Sequence, residues 1–324
     1  MAEPKVVLSL QSLTRIGTLV TLTLQNTALV LLTKFSYRET AVPYAASTVV
    51  ASAEFVKLVV SFTLLLMSDG KASVVEAFQE VPSNAVRLML PSVLYVVQNN
   101  LLFEGMRLLS PTMYMVCSQS KILTSAFCSV VILHTTITRK QYGALLLLVS
   151  GIVTVQSAED NRIMKSVRPH RMFASGTMRG IVVVFMASLT SGLAGTYLEK
   201  MYKERVSPRH TIWFRNVQLA CFSLPIAILS AVRCDSGRLH KEGIFQGYDA
   251  IVISIIALHA AGGLVVAAVL RYANNVLKCF AVSISICNCS IATIYLSDTI
   301  DKSVNARVLL GVALVIMSTF LFQR

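Results

Sequence analysis

The sequence predicts an all-α polytopic membrane protein with about ten transmembrane helices in two inverted five-helix repeats. Hydrophobic residues make up 55% of the 324 positions and charged residues only 14%, whereas soluble domains carry about 25% charged residues. The mean hydropathy is +0.67. This composition excludes a soluble globular fold.

A helix that crosses the hydrocarbon core needs about 20 mostly apolar residues. Ten stretches approach this length, but the fifth is short and the seventh and eighth contain helix breakers, so nine spans remain an alternative. The first stretch lacks the features of a cleavable signal peptide, and we interpret it as an uncleaved anchor. The predicted spans are Ile16–Leu32, Tyr44–Met67, Val86–Leu108, Thr112–Leu133, Tyr142–Val155, Gly180–Leu198, Ile212–Ala231, Asp249–Leu270, Phe280–Leu296 and Val308–Phe322.

A polar stretch, residues 158–179, separates two halves of five predicted spans each, residues 1–157 and residues 180–324. Because five is odd, two related halves must insert into the membrane in opposite orientations. Inverted repeats of this kind are a recurring architecture of transporters. The halves are only weakly similar in sequence, so the prediction depends on parity and hydropathy.

The formal charge is +13, and most lysines and arginines lie in short loops, where anionic lipid headgroups explain them. They divide almost evenly between the two membrane faces, so the positive-inside rule does not decide the orientation. Six of the seven cysteines lie in apolar spans, which favours simple packing over a disulfide scaffold. No histidine and cysteine spacing matches a metal site. We therefore predict no metal, no cofactor and no nucleic-acid partner.

Three lysines lie inside apolar stretches, and Lys121 is the deepest of them. An ammonium near the bilayer centre costs about 2.5–3.5 kcal/mol on insertion scales, so such groups usually face a bundle interior or a wet cavity. Lys57 and Lys278 repeat the pattern in two other stretches. Three cations directed inward indicate that an anionic solute crosses the protein.

Two of these lysines have simpler interpretations that remain open. Glu54 and Lys57 are three residues apart and could neutralise each other on one helix, although such a pair can also line a cavity. Lys278 lies near a helix end and could extend to the membrane interface. Lys121 is too deep for that alternative.

Other polar side chains recur at helical spacing and therefore share helix faces. Amides offer the paired donors and acceptors that suit the edge of a pyrimidine base, and tyrosine rings can stack on a base. Lysines act as point charges for phosphates. Hydrogen bonds between helices are the alternative for the amides, and backbone bonding is the alternative for the hydroxyls. The shared faces are Tyr95, Gln98 and Asn99; Tyr114, Ser118 and Lys121; Ser188, Ser191, Gly192 and Gly195; and Trp213 with Asn216.

Five segments along the chain match motifs of one known family in the family's own order. They are residues 95–100 (YVVQNN), 114–124 (YMVCSQSKILT), 192–200 (GLAGTYLEK), 213–218 (WFRNVQ) and 262–278, which holds a glycine pair and RYANNVLK. With these segments the chain resembles the nucleotide-sugar transporters of the drug/metabolite transporter superfamily. The resemblance is to the subfamily containing the CMP-sialic acid, UDP-galactose and UDP-N-acetylglucosamine transporters, and it covers most of the chain.

The resemblance implies a carrier and not an enzyme, with ten helices and both termini in the cytosol. It implies residence in the Golgi membrane, or alternatively in the endoplasmic reticulum. A nucleotide sugar would enter the lumen in exchange for a nucleoside monophosphate. The predicted partners are these two solutes and the lipid bilayer, and a homodimer is left open. No Ser/His/Asp, paired-carboxylate or metal motif favours an enzyme.

The resemblance also implies roles for individual residues. Gly192 and Gly195 correspond to a tightly packed position that the family needs. To the ligand contacts carried over by motif we add Gln98 and Ser118, which lie on the same polar faces, and Lys57, which is one of the three lysines inside apolar stretches. The motif-matched ligand contacts are Tyr95, Asn99, Tyr114, Lys121, Ser191, Asn216 and Lys278.

Two features of the fourth span bear on the substrate. Ser118 stands where relatives commonly carry a second tyrosine, which weakens base stacking there. The segment Lys121–Thr124 (KILT) resembles the UDP-sugar members, whereas CMP-sialic acid members tend to carry a proline after Lys-Ile. We therefore predict a UDP-sugar, for example UDP-galactose or UDP-N-acetylglucosamine. A CMP-sialic acid transporter and another organic-anion carrier of the superfamily are the alternatives.

Overall fold

The structure is a computed structural model that describes residues 3–36, 44–81, 85–109, 114, 117–164, 177–204, 211–296 and 302–323. These residues form helices joined by short connections, without a strand, which confirms the all-α prediction for them. The helices are α1 (Glu3–Ser36), α2 (Ala46–Gln79), α3 (Ala85–Leu108), α4 (Ser120–Leu133), α5 (Arg139–Met164), α6 (Thr177–Lys203), α7 (Ile212–Glu242), α8 (Ala250–Tyr272), α9 (Asn275–Leu296) and α10 (Lys302–Gln323).

Several of these helices are long and apolar enough to cross a membrane, which confirms a polytopic membrane protein. In the described ranges six segments meet that standard, and shorter apolar segments lie in α3, α4 and α10. The arrangement of ten spans in two inverted repeats stays a prediction. The six segments are Ser12–Thr33, Ala46–Gln79, Met178–Lys203, Ile212–Arg233, Ala250–Tyr272 and Asn275–Ala292.

The helices extend beyond the apolar stretches that predicted them. The fifth span was predicted as Tyr142–Val155, but α5 runs from Arg139 to Met164. Hydropathy detects only the part of a helix that suits hydrocarbon, whereas backbone hydrogen bonding continues into the polar ends. In α2 the helical conformation is interrupted at Gly70, whose φ of 77° is a left-handed value that favours glycine.

The described chain packs as two compact units. Unit 1 contains residues 1–93 and 198–273, and unit 2 contains residues 94–197 and 274–324. Each unit therefore combines segments from both predicted halves of the sequence. The proposed repeats, residues 1–157 and 180–324, concern the relation between the halves and stay a prediction.

Unit 1 is built around α2, which packs against α8 at one end and α7 at the other. In a membrane this packing depends on van der Waals contact, because lipid tails are as apolar as leucine. The α2–α8 cluster consists of Tyr44, Val49, Ala53, Val252, Ile255, Ile256 and Ala260. The α2–α7 cluster consists of Leu65, Val74, Ala77, Phe214 and Val217.

Unit 2 contains a close approach between α5 and α10. A Cβ placed on Gly311 would lie 2.7 Å from the carbonyl oxygen of Gly151, so the two backbones touch. Small residues allow this kind of contact between membrane helices. The same unit contains α4, α9 and most of α3 and α6, and these helices carry most of the candidate ligand contacts.

Candidate functional site

Two lysines of unit 2 lie near each other, and neither has an acidic partner in the part of the chain that the structure describes. Lys121 is half-buried in the first turn of α4, and Lys278 is half-buried in the first turn of α9. Their charges are close enough to interact electrostatically. Across the described ranges, neither ammonium makes a hydrogen bond or an ion pair. Two like charges in a low-dielectric interior repel each other, so the pair suits an anionic group that would neutralise both.

Helix α6 fixes the position of α4 through Gly192. A Cβ on Gly192 would lie 3.0 Å from backbone atoms of Thr124 and Ser125. The Thr124 hydroxyl donates a hydrogen bond of 2.8 Å to the Ser188 carbonyl on α6. Since Thr124 is one turn after Lys121, this contact between the two backbones sets the height of the Lys121 side chain.

Helix α6 fixes α9 in the same way, one turn further along. Gly195 leaves room for the side chain of Asn275, because a Cβ on this glycine would overlap with the amide. Asn275 is fully buried, and its Nδ2 donates to the Thr196 hydroxyl at 3.4 Å. Asn275 is one turn before Lys278. Gly192 therefore helps to position Lys121 on α4, and Gly195 helps to position Lys278 on α9.

Helices α4 and α9 also touch each other directly. The Cys279 thiol donates to the Ser125 hydroxyl at 3.7 Å, and both side chains are buried. Cys279 follows Lys278 directly in the sequence. This contact supports the placement of the two lysines in one region of unit 2.

The candidate residues of α3 belong to the same unit. Tyr95 and Gln98 are half-buried, and the Oε1 atom of Gln98 is buried without a hydrogen-bond partner among the described residues. A buried acceptor without a partner calls for a water or a ligand donor. The side chain of Asn99 lies outside the described part of the chain, so its predicted role stays a prediction.

Three further candidates lie on the segments around α4 and α6. Tyr114 is half-buried, and its ring lies 3.6 Å from the position that a Cβ on Gly105 of α3 would take. Ser118 and Ser191 are half-buried as well. Among the described side chains of the predicted set, unit 2 thus contains two aromatic rings, one amide, two hydroxyls and two ammonium groups.

Lys57 of unit 1 differs from the other two lysines because it has an acidic partner. Its Nζ lies 2.6 Å from Oε1 and 2.5 Å from Oε2 of Glu54. The Ser223 hydroxyl on α7 donates to Oε2 at 2.6 Å. A Cβ on Gly263 of α8 would lie 2.8 Å from the Lys57 Cδ atom, so this glycine makes room for the lysine stem. The intrahelical pair that the sequence left open is therefore present.

We predict that Glu54→Gln destabilises the protein more than the double variant Glu54→Gln/Lys57→Met does. The glutamine still accepts from Ser223, but it leaves a largely buried ammonium without a counter-charge. Both side chains are at most 20% exposed, and removing one partner of a buried pair is more costly than replacing both. The melting temperatures of the purified single and double variants measure the coupling. A double variant that is no more stable than Glu54→Gln would contradict this prediction.

Threonines recur along α1, and their hydroxyls bond mostly to the backbone of the same helix. The hydroxyls of Thr18 and Thr21 donate to carbonyls three and four residues earlier, at 2.9 and 2.8 Å. Gln25 differs, since its Nε2 donates to the Leu258 carbonyl on α8 at 2.9 Å. The glycine at position 262 leaves space for this amide. The protons of these hydroxyls are therefore used within α1 and are not offered to a ligand. This agrees with the alternative that the hydroxyls bond to the backbone.

Asn216 lies in a second polar region of unit 1, between α6 and α7. It is only 4% exposed, and its Oδ1 accepts a hydrogen bond of 2.5 Å from the hydroxyl of Tyr202. Its Nδ2 has no partner among the described residues. Arg271 of α8 donates to the Tyr202 carbonyl at 2.6 Å.

A charged network includes Arg215 and Gln218, which lie on α7 beside Asn216, and the sequence alone did not predict it. Arg215 donates to Gln218 at 2.9 Å, and Gln218 donates to the Glu80 carboxylate at 3.2 Å. Arg87 and Glu204 form an ion pair of 3.6 Å. Two features of the sequence could have indicated this network. Charged residues recur at the ends of neighbouring spans, and Arg215 and Gln218 belong to the same short motif as Asn216.

The structure therefore divides the predicted site residues between the two units. Unit 1 contains Lys57 and Asn216. Unit 2 contains Tyr95, Gln98, Asn99, Tyr114, Ser118, Lys121, Ser191 and Lys278, together with the packing residues Gly192 and Gly195. No cluster of three or more histidine, cysteine or acidic residues in the described ranges could hold a metal ion.

Comparison with known proteins decides the family. Residues 11–323 match the sequence model of the family described as "Nucleotide-sugar transporter". The chain belongs to this family. Its members are carriers, so the prediction that the chain is not an enzyme is confirmed by its membership.

Relatives of this transporter match along almost its whole length. A UDP-N-acetylglucosamine transporter of Mus musculus is 36% identical over 312 residues, covering 93% of this chain and 92% of the relative. The UDP-N-acetylglucosamine/UDP-N-acetylgalactosamine transporter nstp-4 of Caenorhabditis elegans is 33% identical over 94% of this chain and 91% of its own length. A UDP-galactose transporter of Schizosaccharomyces pombe is 35% identical over 94% of this chain and 86% of its own length.

A solved crystal structure of another protein shares the fold of this transporter. The two chains are 14% identical, and the match covers 97% of each with a TM-score of 0.64. At this identity the likeness concerns the fold alone. It agrees with the all-helical arrangement of the described residues.

Proposed function

We propose that this transporter exchanges a UDP-sugar for UMP across the Golgi membrane by alternating access. The observation that carries the proposal is the pair Lys121 and Lys278, two half-buried ammonium groups without a carboxylate partner among the described residues. The relatives named as UDP-N-acetylglucosamine and UDP-galactose transporters support a UDP-sugar as the passenger. UDP-N-acetylglucosamine and UDP-galactose are the substrates to test first.

The charge of the lysine pair supports exchange over one-way transport. A diphosphate carries about two negative charges, and the phosphate of a nucleoside monophosphate carries about 1.5 to 2 at pH 7. Both solutes therefore neutralise two ammonium groups. An empty site would leave two like charges uncompensated in a low-dielectric interior, which is costly. The protein would thus change its orientation readily with either passenger and slowly without one.

The remaining candidates complete a binding site for the nucleoside and the sugar. Tyr95 and Tyr114 supply rings that can stack on uracil. Gln98 and Asn99 supply amides for the edge of the base, and the hydroxyls of Ser118 and Ser191 suit sugar hydroxyls. In unit 1, Asn216 and Lys57 are proposed as further contacts with the passenger at some stage of the transport cycle.

The proposal includes a topology. Ten spans in two inverted repeats, residues 1–157 and 180–324, would place both termini in the cytosol. Inverted repeats with the solute site between them provide alternating access in many transporters. Residence in the Golgi membrane is part of the proposal because the family resemblance implies it, and the endoplasmic reticulum is the alternative. A homodimer stays a prediction.

Counterflow in proteoliposomes tests this function. We expect vesicles that contain the purified protein and are preloaded with UMP to take up labelled UDP-N-acetylglucosamine or UDP-galactose faster than empty vesicles. The same assay with CMP-sialic acid and GDP-sugars, and with CMP as the internal solute, separates the alternatives. An uptake that internal UMP does not stimulate would contradict exchange, and stimulation only by CMP would assign the chain to CMP-sialic acid.

A further inference from the structure

A histidine lies within one of the apolar helices of unit 1. His259 is near the middle of α8, which is long and apolar enough to cross a membrane, and the residue is exposed. An ionisable side chain at this depth is costly to retain and commonly belongs to an ion pathway or a proton relay. Neither the family motifs nor the proposed function gives His259 a role.

The packing of α2 against α8 places His259 beside the pair of Glu54 and Lys57. A Cβ on Gly263 would lie 2.8 Å from the Lys57 Cδ atom. His259 precedes this glycine by four residues, so the two positions share one face of α8. The apolar cluster between α2 and α8 flanks the contact. The imidazole is close enough to interact electrostatically with both Glu54 and Lys57.

The surroundings of the imidazole combine three ionisable groups with neutral ones. Among the described residues, Glu54 and Lys57 are the charged groups that act on it. Helix α8 also packs against α1 and α7. From α1 the Gln25 amide donates to the Leu258 carbonyl, and from α7 the Ser223 hydroxyl donates to Glu54. Neither of these side chains titrates. Histidine is the side chain whose ordinary ionisation falls between about pH 5 and 8, so it is the proton acceptor of this cluster.

We propose that His259, Glu54 and Lys57 form a proton-binding site within the membrane-spanning part of unit 1, and that the bound proton strengthens binding of the anionic passenger. This inference rests on the proposed function. The structure shows Lys57 paired with Glu54, an arrangement without net charge when the imidazole is neutral. A carboxylate has about four acceptor positions, so Glu54 can accept from an imidazolium as well as from Lys57 and Ser223. With the proton bound, two cations share one carboxylate, and the cluster carries a net positive charge.

This added charge links the proton to the passenger. Charges interact more strongly in a low-dielectric interior than in water, so a positive cluster favours the protein with an anion bound. The linkage is reciprocal, because the anion must favour the proton as much as the proton favours the anion. We therefore expect the half-saturating concentration of a UDP-sugar to be lower at acid pH than at alkaline pH.

Self-exchange of a UDP-sugar in proteoliposomes isolates the titration of the protein. The phosphate of UMP titrates near about pH 6, whereas the diphosphate of a UDP-sugar keeps its charge over the histidine range. Labelled UDP-N-acetylglucosamine or UDP-galactose is supplied outside and the same unlabelled solute inside, with equal pH on both sides. We expect the half-saturating concentration for the wild type to rise about fivefold or more between about pH 5.5 and about pH 8.

Two variants of His259 imitate the two states of the site. His259→Gln is neutral at every pH, and His259→Arg is positively charged at every pH. We expect the half-saturating concentration of each to stay constant with pH. The wild type should match His259→Gln at about pH 8 and His259→Arg at about pH 5.5. Either variant alone is sufficient for the comparison if the other fails to fold.

His134→Asn is the matched control. His134 is exposed at the end of α4 with a left-handed φ of 53°, which asparagine tolerates, so this variant should keep the pH dependence of the wild type. A pH dependence that survives in His259→Gln overturns the proposal. Exchange by the wild type that does not change with pH contradicts this inference alone, whereas a wild type that exchanges no UDP-sugar at any pH contradicts the proposed function.

Discussion

Replacing Lys121 with alanine reduces UMP-stimulated uptake of the UDP-sugar by about 10- to 100-fold. The reason is the loss of one charge-assisted contact with a desolvated phosphate, since a hydrogen bond to a charged group contributes about 1.5–3 kcal/mol. Lys121 makes no ion pair within the described ranges, so its removal leaves no buried carboxylate behind. Counterflow in proteoliposomes, normalised to the amount of folded protein, measures the effect.

The matched control for this experiment is Lys200→Ala. The Lys200 side chain is exposed near the end of α6 and makes no hydrogen bond or ion pair within the described residues. Lys203, which lies between the sixth and seventh predicted spans, is unsuitable as a control. It ends α6 and pairs at 2.5 Å with Glu199, which is 1% exposed. Equal uptake by the Lys121 and Lys200 variants would show that the intramembrane ammonium has no special role.

Replacing Gly192 with valine abolishes transport and lowers the melting temperature. The atoms that a Cβ would meet at 3.0 Å are the backbone of Thr124 and Ser125, and a helix backbone cannot rotate aside as a side chain can. Overpacking of this kind typically costs about 1–3 kcal/mol. Because Thr124 lies one turn after Lys121, the displacement of α4 also moves the ammonium. Gly192→Ala is expected to produce a smaller loss in the same direction.

Gly143→Ala is the control for the glycine substitution. It lies in α5 of the same unit, and a Cβ there meets nothing within 4 Å. Alanine is the better helix former by up to about 1 kcal/mol, so this variant should retain transport and melt at the same or a higher temperature. If Gly192→Val were as stable and as active as Gly143→Ala, the contact between α4 and α6 would not position the site.

Hydropathy and motifs predicted the helices and the family because these depend on local sequence. An apolar stretch of about 20 residues is sufficient to propose a span, and a lysine such as Lys121 stands out within it. Hydropathy does not say which helices are neighbours. It could not predict that segments of both halves pack together in each compact unit.

Tyr202 shows what the sequence could not supply. A tyrosine near a helix end is ordinary in a membrane protein, since such rings favour the interface. Its importance arises from partners on other helices, Asn216 and Arg271. Similarly, the sequence left open whether Lys57 pairs with Glu54. The structure shows the pair, and the Ser223 hydroxyl on α7 donates to the same carboxylate.

The most direct measurement of the central claim compares the affinities of UMP and uridine in the wild type and in Lys121→Met/Lys278→Met. The ratio of the two affinities isolates the contribution of the phosphate, because both ligands carry the same base and ribose. We predict that UMP binds the wild type at least tenfold more tightly than uridine and that the ratio falls to about one in the double variant. A ratio that is the same in both proteins would contradict the claim that these two lysines hold the phosphate.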